Sequence, residues 1–371
     1  MKRNLFICDT PFQIMMAMAF RMTLLKNDTV DIVISDIISN SEGLYQNIKR
    51  SNAFSDAYYI RDYELNYGFH SLKKNEKIRI LLNRKGIIKS LLQLEEPYDA
   101  MFVTDTLRSI DWVYEYLSNF NHELNVFYYE EGPIAVLCDQ GNHFKKSNEY
   151  GSIGKRLINR ILGVKHINGN FRGAFTSVSD QMPKVYFEWY DIPRITSEEI
   201  DDYVNKLNEF WSYEHTNEFR NKFIFLEESF FTDGRENRDI EMINDIVTVV
   251  GKNAVIVKLH PRTRENRFEK MGLTVYQKNN VPWELIALNG DLQDTILICV
   301  GSGAILYPKL YWNINQVSVG LLECEDYHYE YLNDKYYKTF SRICKNKELA
   351  ILPQSKEEFL RIIKSYLAKM S

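Results

Sequence analysis

No Asp-x-Asp pair occurs anywhere in the chain, so the usual carboxylate clamp for a metal–diphosphate complex is missing. There is no HExxH, no phosphate-binding GxxxxGK[ST] loop and no GxGxxG, which removes three common cofactor signatures. The five cysteines (Cys8, Cys138, Cys299, Cys324, Cys344) are scattered without a CxxC. Cys324 and His328 stand four apart, but no second ligand pair is evident to complete a metal site. Cys8 and Cys299 close apolar runs and read as small hydrophobes, as expected in a reducing compartment. No stretch approaches the roughly 20 apolar residues of a membrane span. The apolar run of the basic N-terminus is too short for a signal peptide. A cytoplasmic protein, at most peripheral at a membrane, is the expectation. Positive charge is also in short supply: 46 Lys and Arg face 50 Asp and Glu, a net charge of −4. No basic field advertises nucleic-acid binding, and Glu265 and Glu269 break the basic run at 258–270.

What is present suits two domains. The chain has 371 residues and is 45% hydrophobic, enough for two cores of roughly 150–200 residues each. Its 24 Tyr and 21 Phe suit core packing, or clefts that hold sugars and nucleosides. Strands are expected at 4–8, 30–35, 57–60, 98–104 and 124–129, with helices from Thr10-Pro11 to 25, at 77–94 and at 110–117. Residues 140–172 read as loops with a short helix near 155–162, and 193–213 as a helix capped by Ser197. A second series follows: strands at 223–226, 254–259, 295–300 and 316–319, and helices at 241–250, 283–288, 302–310 and 356–370. Alternation of this kind predicts an α/β fold with parallel sheets, two Rossmann-like halves and a cleft between them, the GT-B arrangement. The boundaries expected are 1–180 for the first domain, 181–220 for a linker, 221–350 for the second domain and 351–371 for a closing helix. Ligands of such sheets sit beyond the carboxyl ends of the strands, where Asp9, Asp105 and Glu130 fall.

Three motifs carry possible chemistry. Glu130-Glu131-Gly132 follows an apolar strand; adjacent carboxylates repel, which suits one of them to act as a base. The same residues would also serve as an acidic helix start. Lys258-Leu259-His260-Pro261-Arg262 closes another strand. The spacing puts Lys258 and His260 on one face, two donors suited to a phosphate, and a protonated His could assist a phosphate leaving group. The bland alternative is a surface histidine in a turn beside solvated arginines. Gly301-Ser302-Gly303 opens the segment after a third strand, where amides and a hydroxyl could bind an anion or the serine could simply cap a helix. Glu284 stands where an acid could grip ribose hydroxyls, or where a helix merely begins.

In this order, the motifs resemble those of bacterial sialyltransferases: a D/E-D/E-G motif, an HP motif and a serine motif. The opening Phe6-Ile7-Cys8-Asp9-Thr10-Pro11-Phe12-Gln13 resembles glycosyltransferase family 52, which includes α-2,3-sialyltransferases of lipooligosaccharide and capsule and some α-glucosyltransferases. The resemblance spans about 4–310, and the serine motif departs from the family's usual Ser-Ser or Ser-Thr. It implies a GT-B homodimer that moves sialic acid from CMP-sialic acid to a galactoside-type acceptor of a surface glycan, by inversion and without a metal or other cofactor. Glu130 would be the base with Glu131 supporting. His260, Lys258 and Ser302 would hold the CMP phosphate, with Pro261, Arg262, Gly301, Gly303 and Glu284 around the donor. Asp9, Thr10, Gln13, Asp105 and Arg108 are candidates for substrate binding, with Gln13, Thr10 or Arg108 as donors to the carboxylate of sialic acid. The implied partners are a nucleotide sugar and an oligosaccharide or glycolipid acceptor, met at the inner face of a bacterial membrane. Three alternatives remain: an α-glucosyltransferase of the same family, a CDP-polyol phosphotransferase, and a non-catalytic nucleotide-sugar-binding protein of capsule assembly.

Overall fold

A computed structural model describes residues 1–94, 96–104, 107–144, 161–260, 263, 265–276, 281–292 and 294–370. The chain forms two compact units, Met1–Ser212 and Tyr213–Ser371.

In the first unit the chain runs β1 (Arg3–Cys8), α1 (Pro11–Met22), β2 (Thr29–Ser35), α2 (Ser41–Ser51), β3 (Ala57–Ile60), α3 (Phe69–Ser71), α4 (Lys74–Leu92), β4 (Ala100–Val103), α5 (Arg108–Leu117), β5 (Asn125–Tyr129), α6 (Pro133–Asp139), β6 (Phe171–Thr176), β7 (Glu188–Asp191) and α7 (Ile200–Trp211). Its strands form one sheet in the order β3-β2-β1-β4-β5-β6-β7, and each neighbouring pair runs parallel. Alternation along β1 sends Leu5 and Ile7 into a core with Ile88, Leu92, Ile110 and Trp112 of α4 and α5, and Phe6 to the other face. There Phe6 stacks on Phe102 with centroids 4.5 Å apart, and Phe20 of α1 meets Phe175 edge-on at 5.0 Å. Helices thus cover both faces, as a buried parallel sheet requires.

The second unit runs β8 (Phe223–Leu226), α8 (Asp239–Val250), β9 (Val255–Lys258), β10 (Thr274–Tyr276), α9 (Trp283–Leu288), β11 (Ile296–Cys299), α10 (Tyr307–Trp312), β12 (Val317–Gly320), α11 (Lys335–Asn346) and α12 (Lys356–Met370). Its sheet order is β10-β9-β8-β11-β12, again parallel. Both units are therefore Rossmann-like: the first strand lies inside the sheet, and strand order reverses beside it, between β1 and β4 and between β8 and β11. Such a reversal opens a ligand crevice at the carboxyl ends of the strands.

Several expectations need correction. Residues 181–220, expected as a linker, supply β7 and α7 to the first unit. Tyr203, Leu207, Phe210 and Trp211 of α7 are buried, and α7 packs on α1 and α2. The Tyr203 hydroxyl donates to the Met15 carbonyl at 3.0 Å. This helix begins at Ile200 rather than 193, because Thr196 binds the Glu199 carboxylate through its amide and its hydroxyl, holding a turn; Ser197 is not its cap. The closing helix is no appendage either, since α12 packs on α8 and Lys356 pairs with Asp245 at 2.6 Å. The helix expected at 302–310 is divided into a single 3₁₀ turn, Gly303–Ile305, and α10, with Pro308 in the first turn of α10. Strand β6 falls within and beyond the stretch expected as loops. Arg172 and Gly173 interrupt its apolar run, yet Gly173 is required: a Cβ there would lie 2.6 Å from the Tyr190 ring of β7. Most of the helix expected near 155–162 lies outside the described residues.

Candidate active site

In the first unit the site is built at the ends of β1, β5 and β6. Thr10 caps α1, accepting from the Gln13 amide at 3.3 Å. This Thr-x-x-Gln start is a variant of the capping box, because the Gln13 side-chain carbonyl takes the Asp9 amide at 2.7 Å instead of the amide of the cap residue. The Gln13 NH2 group then donates to Asp9 at 2.5 Å and to Glu131 at 2.8 Å. One buried amide side chain thus links two carboxylates from the ends of different strands. Beneath them the Tyr129 hydroxyl meets Cys8 Sγ at 3.4 Å, and burial holds the phenol well above its ordinary pKa.

The two glutamates part company. Glu130 is 0% exposed. It accepts hydrogen bonds from the Thr176 hydroxyl and, at 2.6 Å, from the Ser177 amide. Glu131 is partly exposed. The Ser177 hydroxyl beside Glu130 is enclosed, with no hydrogen-bond partner among the described residues. Gly132 adopts φ 134° before the proline-led helix α6, backbone that a side chain would strain. Arg108 starts α5, donates to the Leu65 carbonyl at 2.9 Å and lies 3.8 Å over the Phe69 ring. Burial lowers its pKa, and Asp111 opposes the shift. These contacts tie Arg108 to the turn around 65–69. Asp105 lies outside the described residues.

In the second unit the ends of β8, β9 and β11 come together. Lys258 is buried, so desolvation lowers its pKa, while the Glu284 carboxylate in the first turn of α9 opposes that shift. His260 is partly exposed. Its amide donates to Glu227 at 3.1 Å, and its carbonyl accepts from the Thr263 amide at 2.9 Å. Ser302 caps the 3₁₀ turn, accepting weakly from the Ala304 amide at 3.4 Å, and its own amide points to Cys299 Sγ at 3.2 Å. A Cβ at Gly301 would lie 3.2 Å from the Tyr337 ring, and one at Gly303 would lie 2.6 Å from the Tyr307 ring and force that ring to move. Pro261 and Arg262 lie outside the described residues.

Three residues that sequence reasoning passed over organise this region. Glu227 is buried and accepts from the His260 amide, from the Thr263 hydroxyl at 2.6 Å and from Arg267 at 2.7 Å. Arg267 also reaches Asp239 at 3.1 Å and Asn237 at 2.9 Å, and stacks 3.8 Å over Phe231. Glu228 accepts from the Gly301 amide at 2.9 Å, across the reversal between β8 and β11. Part of Glu228 reaches solvent, yet its carboxyl is enclosed. Desolvation, with smaller contributions from the Asp239 and Glu227 charges, raises its pKa to about 7 against the opposing Gly301 hydrogen bond. The signal was present: Leu226-Glu227-Glu228 repeats the pattern of Tyr129-Glu130-Glu131, an apolar strand closed by two acids. Among the described residues, no group of three or more His, Cys, Asp or Glu is placed to hold a metal ion.

A family model described as Alpha-2,8-polysialyltransferase (POLYST) matches residues 4–321. The chain belongs to the alpha-2,8-polysialyltransferase family. It is accordingly a glycosyltransferase of the sialyltransferase kind. The resemblance drawn above thus holds at the level of sialyltransferases, and the matching family is the α-2,8-polysialyl one rather than family 52. Among solved structures, the chain is similar to UDP-GlcNAc 2-epimerase of Methanocaldococcus jannaschii, with 13% identity, 99% of this chain and 93% of that one covered, and a TM-score of 0.53. A second UDP-N-acetylglucosamine 2-epimerase gives 13% identity, 100% and 90% coverage, and a TM-score of 0.51. At these identities the likeness concerns the fold, two Rossmann-like units of the GT-B class. The GT-B domain of a Photobacterium damselae sialyltransferase is also similar, at 9% identity, 95% and 100% coverage, and a TM-score of 0.48. No curated protein matches the chain at a significant level. Within this polysialyltransferase-family chain, the matched span takes in Glu130, Glu131, Lys258, His260 and Ser302.

Proposed function

We propose that the protein transfers sialic acid from CMP-sialic acid to the terminal sialic acid of a glycan acceptor, forming an α-2,8 linkage with inversion and without a metal. The family match over residues 4–321 carries this reading. The second unit holds the donor: Ser302, the neighbouring amides and His260 take the CMP phosphate, and Lys258 supplies positive charge beneath it. Glu284 engages Lys258 electrostatically, so it orients the lysine as well as lying where a ribose could reach it. The first unit activates the acceptor. Here Glu131 takes the role of base in place of Glu130, because a carboxylate at 0% exposure whose oxygens already accept from Thr176 and Ser177 cannot meet a sugar hydroxyl. Glu131 removes the acceptor proton, the freed oxygen bonds to C2 of the donor sugar, and the C2–O bond to CMP breaks. The electron pair stays on the phosphate oxygen, to which His260 donates a proton.

The test is to incubate the purified protein with CMP-sialic acid, UDP-glucose and CDP-glycerol in separate reactions. Each is offered a sialyl-terminated and a galactoside-terminated oligosaccharide. Transfer from CMP-sialic acid to the sialylated acceptor is expected. Turnover of UDP-glucose or CDP-glycerol, with CMP-sialic acid neither bound nor hydrolysed, sinks the donor assignment. Transfer to the galactoside alone keeps the donor and replaces the linkage.

A further inference from the structure

Helix α4 carries a surface that the proposed reaction leaves unused. It packs through Arg84, Ile88 and Leu92, spaced four residues apart on one stripe. Arg84 is anchored by two bonds of 2.6 Å to the buried Glu115. The solvent-exposed flank beside this stripe presents Ile78 and Leu82, 55% and 64% exposed and one turn apart. At 100° per residue Lys74, Lys85 and Lys89 fall within the same half of the helix, and Arg79 lies beside them. Arg84 and Lys85 both pair with Glu115; the remaining cations of the helix, Lys74, Lys77, Arg79 and Lys89, outnumber its one carboxylate, Glu76, in a chain of net charge −4. The preceding helical turn adds two further exposed rings, Tyr63 and Tyr67, packed together at 5.4 Å.

We propose that this face docks the protein on an anionic lipid surface. Lys74, Arg79 and Lys89 would meet headgroup phosphates, and Ile78 and Leu82 would enter the acyl boundary. No helix among the described residues is long and apolar enough to cross a membrane; α4 instead has the make-up of a helix that lies in the interface plane. Charge complementarity selects the occupant. A soluble polyanion satisfies the cations but leaves Ile78 and Leu82 in water, whereas a lipid surface takes both. A second copy of the same face would bring two strongly positive helices together.

The full chain is tested by co-sedimentation with vesicles of phosphatidylcholine alone, and with about one third phosphatidylglycerol. Binding to the mixed vesicles only, weakened by salt, is expected. Ile78→Ser with Leu82→Ser weakens that binding about tenfold or more, by the apolar area removed from the lipid. Lys74→Gln, Arg79→Gln and Lys89→Gln together weaken it about a hundredfold, at about fivefold per charge. Both variants keep the parent's thermal midpoint and its transfer rate on a soluble acceptor, since all five residues are exposed. Failure of the parent chain to bind mixed vesicles overturns the proposal, as does unchanged binding by the Ile78→Ser/Leu82→Ser variant. Dextran sulfate binding by both proteins without vesicle binding would assign the face to an anionic glycan instead. Dimerisation abolished by Ile78→Ser/Leu82→Ser, again without vesicle binding, would assign it to a second copy.

Discussion

Each unit ends one of its parallel strands on the same dipeptide, Glu130-Glu131 after β5 and Glu227-Glu228 after β8. In both pairs the first glutamate is buried and the second is partly exposed; successive residues of an extended backbone point to opposite faces, so the two must differ. Each buried member also fastens the exit of the neighbouring strand: Glu130 binds Thr176 at the end of β6 and Ser177 after it, and Glu227 binds His260 and Thr263 after β9. The difference lies in the remaining donors. Glu227 adds a guanidinium, Arg267, which Asp239 shares. Glu131 receives a side-chain amide from Gln13 and has Asp9 on that amide's other side, whereas Glu228 is held by the main chain of a glycine turn. One dipeptide is therefore joined to a second carboxylate through a side-chain amide in the first unit and to a glycine turn in the second, and the proposed function makes the first of these the reactive one.

The sharpest way to break this comparison is to exchange acids for amides. Glu131→Gln is expected to lower kcat by roughly 10²–10⁴, the range for a lost general base, with the circular dichroism of the parent chain. If Glu130→Gln lowers kcat more at unchanged stability, the assignment within the pair is reversed. Next in size is Arg267→Met, which leaves two buried carboxylates without their cation and should cost about 3–5 kcal/mol in denaturant unfolding. Adding Glu227→Gln to that variant should restore part of the loss. A smaller effect is expected for Glu130→Gln, whose new N–H donors face the Ser177 amide or the Thr176 hydroxyl, at a cost of about 1–3 kcal/mol.

The smallest expected effect concerns pH. Burial raises the Glu228 pKa from 4.5 to about 7, so between those values the folded chain keeps a proton that the unfolded chain releases. Stability contributed by this group is full below about pH 4.5 and falls as pH rises towards 7. Glu228→Gln should therefore exceed the parent chain in stability at pH 8 by on the order of 1–2 kcal/mol, discounted for partial exposure, and lose that advantage at pH 4. Thermal unfolding at both pH values checks it. An equal difference at the two pH values would remove Glu228 titration from the comparison.

Much of the fold was legible because buried parallel strands read as short apolar runs. Residues 57–60, 223–226 and 283–288 were expected as the elements that form there. Edge and interrupted strands were not: β7 is Glu-Trp-Tyr-Asp with mostly exposed residues, and β6 contains Arg172 and Gly173. In the candidate site, Glu131, His260 and Ser302 were singled out from local spacing. Glu227, Glu228 and Arg267 were not singled out, because the acid pair after β8 lacks the following glycine and Arg267 sits in a charged run that reads as solvated surface.

The sequence by itself determined the two sets of apolar strands, and the acids, lysine and histidine placed at their carboxyl ends, since those depend on local periodicity and turn chemistry. Only the tertiary structure decided which glutamate of each pair is buried and which is reachable. Gln13 meets Glu131 across 118 residues and Gly301 meets Glu228 across 73. Whether a carboxylate is enclosed or reachable depends on donors that only the folded sheets bring beside it.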